Sequence, residues 1–135
     1  MLHITDGESV AGTLRESGIP GIVSTYGDLM DEGPAPAGLD TETWIETRAR
    51  FIAGFHDTTL EEARPFVKAC EDTVASFSIH EAVVIWLDQR LSDHLILIKV
   101  LDWFSRQADI SDLTIIDHPY DTPTNLRSGR HSLSP

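Results

Sequence analysis

The chain reads as an α/β domain: a three-layer, mostly parallel four-stranded sheet with flanking helices, resembling half of a Rossmann-like unit. Three observations predict this. Short apolar runs alternate with longer stretches of helical periodicity, the order that builds a parallel sheet through helical crossovers. Ala82-Val83-Val84-Ile85-Trp86-Leu87 is apolar without interruption, as expected of a strand buried on both faces. Leu2–Thr5 breaks at Asp6-Gly7 and reopens as a helical pattern through Ser9, Val10 and Leu14, the strand–glycine turn–helix geometry that presents backbone N–H groups to a ligand.

Each element has its own local reason. Leu2–Thr5 is the first strand, followed by a helix expected over 9–17, with Ser9 as N-cap and Gly18 as the stop. Gly18-Ile19-Pro20-Gly21 is turn chemistry, and 22–26 reads as a second strand. Residues 27–38 hold prolines and glycines that exclude a regular element across most of the stretch; a loop this long is functional or loosely ordered. Asp40 is the expected N-cap of a helix carrying Trp44, Ile45, Phe51, Ile52 and Phe55. Thr59 and Glu62 form a capping box, and Phe66, Ala69, Cys70, Thr73, Val74 and Phe77 are expected on one face of the helix beyond it. Pro65 either kinks that helix or marks its first turn. The third strand is 82–87. A helix over 91–106 follows, with Ser92, Lys99, Asp102 and Arg106 as a narrow polar stripe. The fourth strand is 113–116. Residues 1–120 form one domain in this reading, and 121–135 a polar tail without periodicity.

Composition narrows the function classes. The 135 residues are 41% hydrophobic and carry a formal net charge of −12, enough apolar content for one core. Extended nucleic-acid binding is disfavoured, because phosphate neutralisation needs clustered Lys and Arg. Cys70 is the only cysteine; it sits in an apolar helical pattern and reads as a core residue rather than a nucleophile. No apolar run approaches the roughly 20 residues that span a bilayer, and the first residues lack a signal-peptide pattern. A cytoplasmic protein is the expectation.

In a parallel sheet, ligands bind beyond the carboxyl ends of the strands, where strand order reverses. Asp6, Asp28, Asp88 and Asp117 each fall at or just past such an end, with Glu8, Asp31, Glu32 and His118 close in sequence. Asp6 and Asp88 face each other if the first and third strands are neighbours. Asp6, Asp28 and Asp88 could hold Mg2+ or Mn2+ against a phosphate, or all could be caps and solvated loop residues. Gly7 and Ser9 could hold a phosphate or carboxylate through backbone donors, or form an ordinary capped turn. Gly7-x-x-x-x-Gly12-Thr13 lacks the lysine of a phosphate loop, so an ATPase is rejected. Arg90 is either a bidentate clamp for an anionic ligand or the partner of Asp88 or Asp93. His94 and His118 qualify as acid/base groups by type alone.

Four segments carry a resemblance: L-H-I-T-D-G-E-S-V-A-G-T-L-R-E-S-G-I-P-G at 2–21, D-L-M-D-E-G-P-A-P-A-G-L at 28–39, A-V-V-I-W-L-D at 82–88 and L-I-L-I-K-V-L-D-W-F at 95–104. Together they resemble the prokaryotic domain of unknown function family number 1835 over roughly residues 1–117. The resemblance implies an α/β domain and no particular activity. It also implies Asp6, Gly7, Ser9, Asp28, Glu32, Gly33, Pro34 and Asp88 as site candidates, with His3 at least as structural as functional. Family members usually carry an acidic-His-Asp type of stretch after the third strand, where this chain has Asp88-Gln89-Arg90, and usually continue well past the fourth strand, where this chain ends in a short polar tail. If the family's site uses that stretch, the activity here is altered or lost. The leading expectation is a site for a small phosphorylated metabolite or nucleotide, with a divalent metal as an option. The rival is a non-catalytic interaction or regulatory module, with the 33–38 loop and the helices forming an interface, a homodimer being one form.

Overall fold

A computed structural model describes residues 1–108 and 112–117. Four strands, β1 (Leu2–Thr5), β2 (Ile22–Thr25), β3 (Ala82–Leu87) and β4 (Asp112–Asp117), form one sheet in the order β2-β1-β3-β4, and every pairing is parallel. Helices α1 (Glu8–Glu16), α2 (Thr41–Phe55), α3 (Leu60–Ala75) and α4 (Leu91–Ser105) flank it, giving the three-layer α/β fold; a 3-10 turn over Ser76–Ile79 leads into β3. No helix among the described residues is long and apolar enough to cross a membrane.

From β1 the chain steps outward to β2 in one direction, and from β3 to β4 in the other. Right-handed crossovers therefore set α1 and α4 on opposite faces of the sheet. Helices α2 and α3 join α4, as the placing of Lys99 over the Trp44 ring and the Lys99–Glu71 ion pair attest. Strand side chains alternate between the two layers. Leu2, Ile4, Val83, Ile85 and Leu87 share one core with Trp44, Val67, Ile96, Val100 and Phe104. His3, Thr5 and Val84 are buried outside that cluster, as are Ala11 and Leu14 of α1. His3 is a structural residue. The indole N–H of Trp86 can only donate, and it donates to His3 Nδ1 at 3.1 Å, so the imidazole proton lies on Nε2 and donates to the Pro20 carbonyl at 3.0 Å.

Most expected elements form within a residue or two of their predicted ends. Asp40 caps α2 by accepting from the Thr43 N–H, and the Thr59–Glu62 capping box is complete. Pro65 neither starts nor breaks α3; it lies inside the helix, near enough to the N-terminus that an early backbone bond is lost. Three expectations are corrected. The N-cap of α1 is Gly7, not Ser9, and no side chain caps it. The buried stripe of α3 is Ala63, Val67, Cys70, Glu71 and Val74, which leaves Phe66 exposed. On α4 the solvent does not follow the polar stripe: Ser92 and Asp93 are buried, while Leu91, Ile98 and Leu101 are exposed. Among the described residues, strands β2 and β4 lie at the two edges of the sheet, and β4 is nowhere fully buried. The expected tail and His118 lie outside the described residues.

Candidate functional site

Strands β1 and β3 are neighbours, and the chain leaves them in opposite directions across the sheet. Their carboxyl ends therefore flank the crevice where open parallel sheets bind ligands. Asp6 follows β1 and Asp88 follows β3, so the expected confrontation of the two carboxylates occurs. A guanidinium lies between them. Arg90 bonds Asp6 through Nη2 and Asp88 through Nε at 2.7 Å, and Asp93 Oδ1 stands 3.8 Å from Nη2. Of the two readings of Arg90, carboxylate partner and anion clamp, the first is what this geometry contains.

The loop between β3 and α4 builds this cluster from its own backbone. The Arg90 N–H donates to Asp88 Oδ1 at 2.8 Å, and the Asp88 N–H donates to Asp93 Oδ2 at 2.7 Å. Asp93 thus reaches back from the first turn of α4, as a capping-box acid does. Burial raises the Asp88 carboxyl, but the backbone and guanidinium bonds from Arg90 outweigh it and hold the group below the usual aspartate range. For Asp93, burial dominates and the charges of Asp6 and Asp88 add to it, so its carboxyl is raised. Arg90 is held more firmly protonated: its partial burial works against the charge, and the neighbouring carboxylates overcome that. The Arg90 side chain nonetheless keeps 47% of its surface in water, whereas those of Asp88 and Asp93 keep 2% and 1%. About half of this charged side chain therefore lies in water at the end of the crevice. Beside it, α1 begins at Gly7, whose extended backbone leaves the first amides of the helix without a side-chain cap. Ser9 sits in that first turn, exposed, its carbonyl accepting the Thr13 hydroxyl. His94 is exposed one turn into α4 and donates from Nδ1 to the Arg90 carbonyl at 2.8 Å.

A second group forms past β2. Asp28 takes Arg48 Nε and Nη2 at 2.8 and 2.6 Å, and the remaining guanidinium protons go to the carbonyls of Leu29, Glu32 and Pro34. All five donors are used, and both side chains are 1% exposed. The 27–38 loop is thereby wrapped round one buried cation. Gly33 adopts a φ of 75°, and a Cβ there would fall 2.4 Å from the Phe51 ring, so only glycine closes this contact. Beside the ion pair is a cavity of about 260 Å3 walled by Phe51, Ile52 and Phe66, with Glu32 and His56 3.8 Å apart among its lining. The two groups adjoin: a Cβ on Gly27 would stand 3.6 Å from the Asp6 carbonyl and 3.7 Å from Phe66.

The candidate residues thus divide. Asp6, Gly7, Asp88 and Arg90 come together at the crevice, with Ser9 in the helix turn beside them. Asp28, Glu32, Gly33 and Pro34 gather instead round Arg48. Asp28 is not available to a cation shared with Asp6 and Asp88, because Arg48 occupies both of its oxygens. Among the described residues, no three His, Cys, Asp or Glu side chains group closely enough to hold a metal ion. Sequence reasoning missed Arg48, whose only signal was a charge at a helical position between Trp44 and Phe51. Cys70 is buried and free, and burial pushes its thiol up to about 11, unsuited to a nucleophile at neutral pH. Compared with protein-family models, curated proteins and solved structures, the chain has no match.

Proposed function

We propose that this domain binds a small phosphorylated metabolite or nucleotide in the crevice at the carboxyl ends of β1 and β3. One observation carries the reading: the half-exposed Arg90 fork beside the uncapped first turn of α1. A phosphate there would meet the half-exposed guanidinium and the amides after Gly7. Asp6 is the competing anion, so binding is an exchange of one Arg90 partner for another. A divalent cation enters only as a bridge between the phosphate and Asp6, because Arg90 occupies both oxygens of Asp88.

The test is a thermal-shift titration of the full chain with inorganic phosphate, ribose 5-phosphate and ATP, each with and without Mg2+. Ligand bound to the native state stabilises it by mass action, by about 2.7 kcal/mol at a hundredfold excess over Kd, and so raises the melting temperature. The expected result is a shift that Arg90→Gln abolishes and Asp6→Asn enlarges, because Asp6→Asn releases the guanidinium edge. A flat response to all three compounds at millimolar concentration counts against the site.

An interaction module is the second reading, and one observation favours it: Leu91, Ile98 and Leu101 form an exposed apolar stripe along α4. Sedimentation equilibrium of wild type against Ile98→Asp decides it. An oligomer that the substitution dissolves supports an interface between copies, and a monomer at high concentration removes the homodimer.

A further inference from the structure

The cavity beside the Arg48–Asp28 pair has surface that the pair does not use. Its volume of about 260 Å3 lies below the range of pockets that hold a whole drug-sized ligand, and suits one ring system of a larger molecule. Leu29, Ile52 and Phe66 make its walls apolar, and the His56 side chain, 48% exposed, adds a polar group. Arg48 and Asp28 line it too but are shut in at 1% exposure. Of its two phenyl rings, Phe51 is engaged, with the Arg48 guanidinium 5.4 Å from its centre and Phe55 stacked on it at 5.2 Å. Phe66 is the ring with surface to spare: it is 45% exposed, on a helix that turns Ala63, Val67 and Cys70 inward. An aromatic ring kept half in water beside a cavity costs hydrophobic free energy that a flat partner recovers.

This cavity adjoins the β1/β3 crevice. Strands β1 and β2 end in register, Thr5 opposite Thr25, and the Tyr26 N–H donates to the Thr5 carbonyl at 2.7 Å, so Asp6-Gly7 and Gly27-Asp28 leave the sheet side by side. Gly27 belongs to the cavity lining, and the Asp6 carbonyl and the tip of the Phe66 ring both lie within 4 Å of where its Cβ would stand. The first amides of α1 and the aromatic wall at Phe66 thus share one edge of the sheet. From this juxtaposition we infer that the ligand is a nucleoside monophosphate, with its phosphate in the crevice and its base in this cavity against Phe66. The inference rests on the phosphate site proposed above and selects a nucleotide over a sugar phosphate. A base has a π-face for the Phe66 ring and polar edges for the half-exposed His56, whereas a sugar phosphate would leave the apolar walls uncovered.

Full-length 15N-labelled protein is titrated with inorganic phosphate, ribose 5-phosphate and the 5′-monophosphates of adenosine, guanosine, cytidine and uridine. Ribose 5-phosphate carries the sugar and phosphate of the nucleotides, so the difference between them reads the base. At least one nucleotide is expected to bind about tenfold more tightly than ribose 5-phosphate, the share of one base stacked on an aromatic side chain. Phe66→Ala should abolish that advantage and leave the Kd of ribose 5-phosphate unchanged; alanine suits a helix and the position is half exposed, so the fold is kept. Phe66→Tyr, which keeps the ring face, should retain the advantage. The inference is overturned if ribose 5-phosphate binds and no nucleotide binds more tightly, if the advantage survives Phe66→Ala, or if Phe66→Tyr loses it as completely as Phe66→Ala. If neither phosphate, ribose 5-phosphate nor any nucleotide binds, the crevice itself is not a phosphate site and this inference falls with it.

Discussion

Two arginines answer acidic neighbours at adjacent corners of the sheet, and they do so in opposite ways. Arg48 spends all five donors inside the protein, on one carboxylate and three carbonyls of a single loop, and neither it nor Asp28 meets water. Arg90 is shared among three carboxylates from two strand ends and one helix, and half of it remains in solvent. A fully consumed guanidinium is a fastener, because no ligand can reach it without opening the loop. One that keeps a wet edge can exchange partners. The contrast separates structural from functional candidates more sharply than residue type does, since both sites pair Arg with Asp.

The largest way to break the comparison is Arg48→Met. It leaves Asp28 charged, buried and unpaired, and should remove about 3–5 kcal/mol of stability in urea unfolding. Asp28→Leu/Arg48→Met should recover only part of that, because the uncompensated charge is gone but the carbonyls of Leu29, Glu32 and Pro34 stay without their donor. Cys70 reports the same event locally, for it lies against the backbone of Gly27 and Asp28. Its alkylation by iodoacetamide should be slow in wild type at neutral pH and faster in Arg48→Met.

Arg90→Gln should cost less, about 1–2 kcal/mol, because solvent screens the exposed half of the cluster. Its larger effect should fall on the phosphate-dependent thermal shift. A retained shift would make Arg90 a fastener like Arg48.

Acid titration sharpens the cluster further. Asp88 is lowered in the fold, so its contribution is present above its unfolded value of 3.8 and is lost as pH falls below it. Asp93 is raised, so its contribution is present below 3.8 and is lost as pH rises through the folded value. The two slopes oppose one another near pH 4. Asp93→Asn removes one and should make unfolding steeper on acidification, as read by melting temperature between about pH 5 and pH 3. An unchanged slope would mean that the pair does not titrate as described. The smallest effect expected is that of Ile98→Asp, far from both arginines: under about 0.5 kcal/mol in monomer stability.

Much of this was legible along the chain, and for particular reasons. β3 announced itself as an unbroken apolar run, α3 through Thr59 and Glu62, and α2 through Asp40. Asp6 and Asp88 were placed at strand ends, and one assumption about strand order was enough to set them face to face. What stayed hidden depends on contacts distant in sequence. Arg48 lies 20 residues from Asp28, and Tyr26 lies 45 from Glu71, so neither pairing leaves a local pattern. On α4, apolar residues surround the helix, so periodicity could not tell which of them would face water. Gly7 displaced Ser9 as N-cap because the extended backbone at Gly7 starts the helix at Glu8, two residues before a helix capped by Ser9 would begin.

The outer strand carries a consequence for self-association. β4 reads Asp112-Leu113-Thr114-Ile115-Ile116-Asp117, an apolar centre on a sheet margin, with Ile115 44% exposed. Such a margin is a template on which another copy can zip up through its backbone. An aspartate stands at each end. In antiparallel pairing with a second β4, Asp112 of one copy would oppose Asp117 of the other at both ends, so every such encounter meets like charge twice. In that register the two acids oppose the edge-to-edge pairing that would begin a fibre.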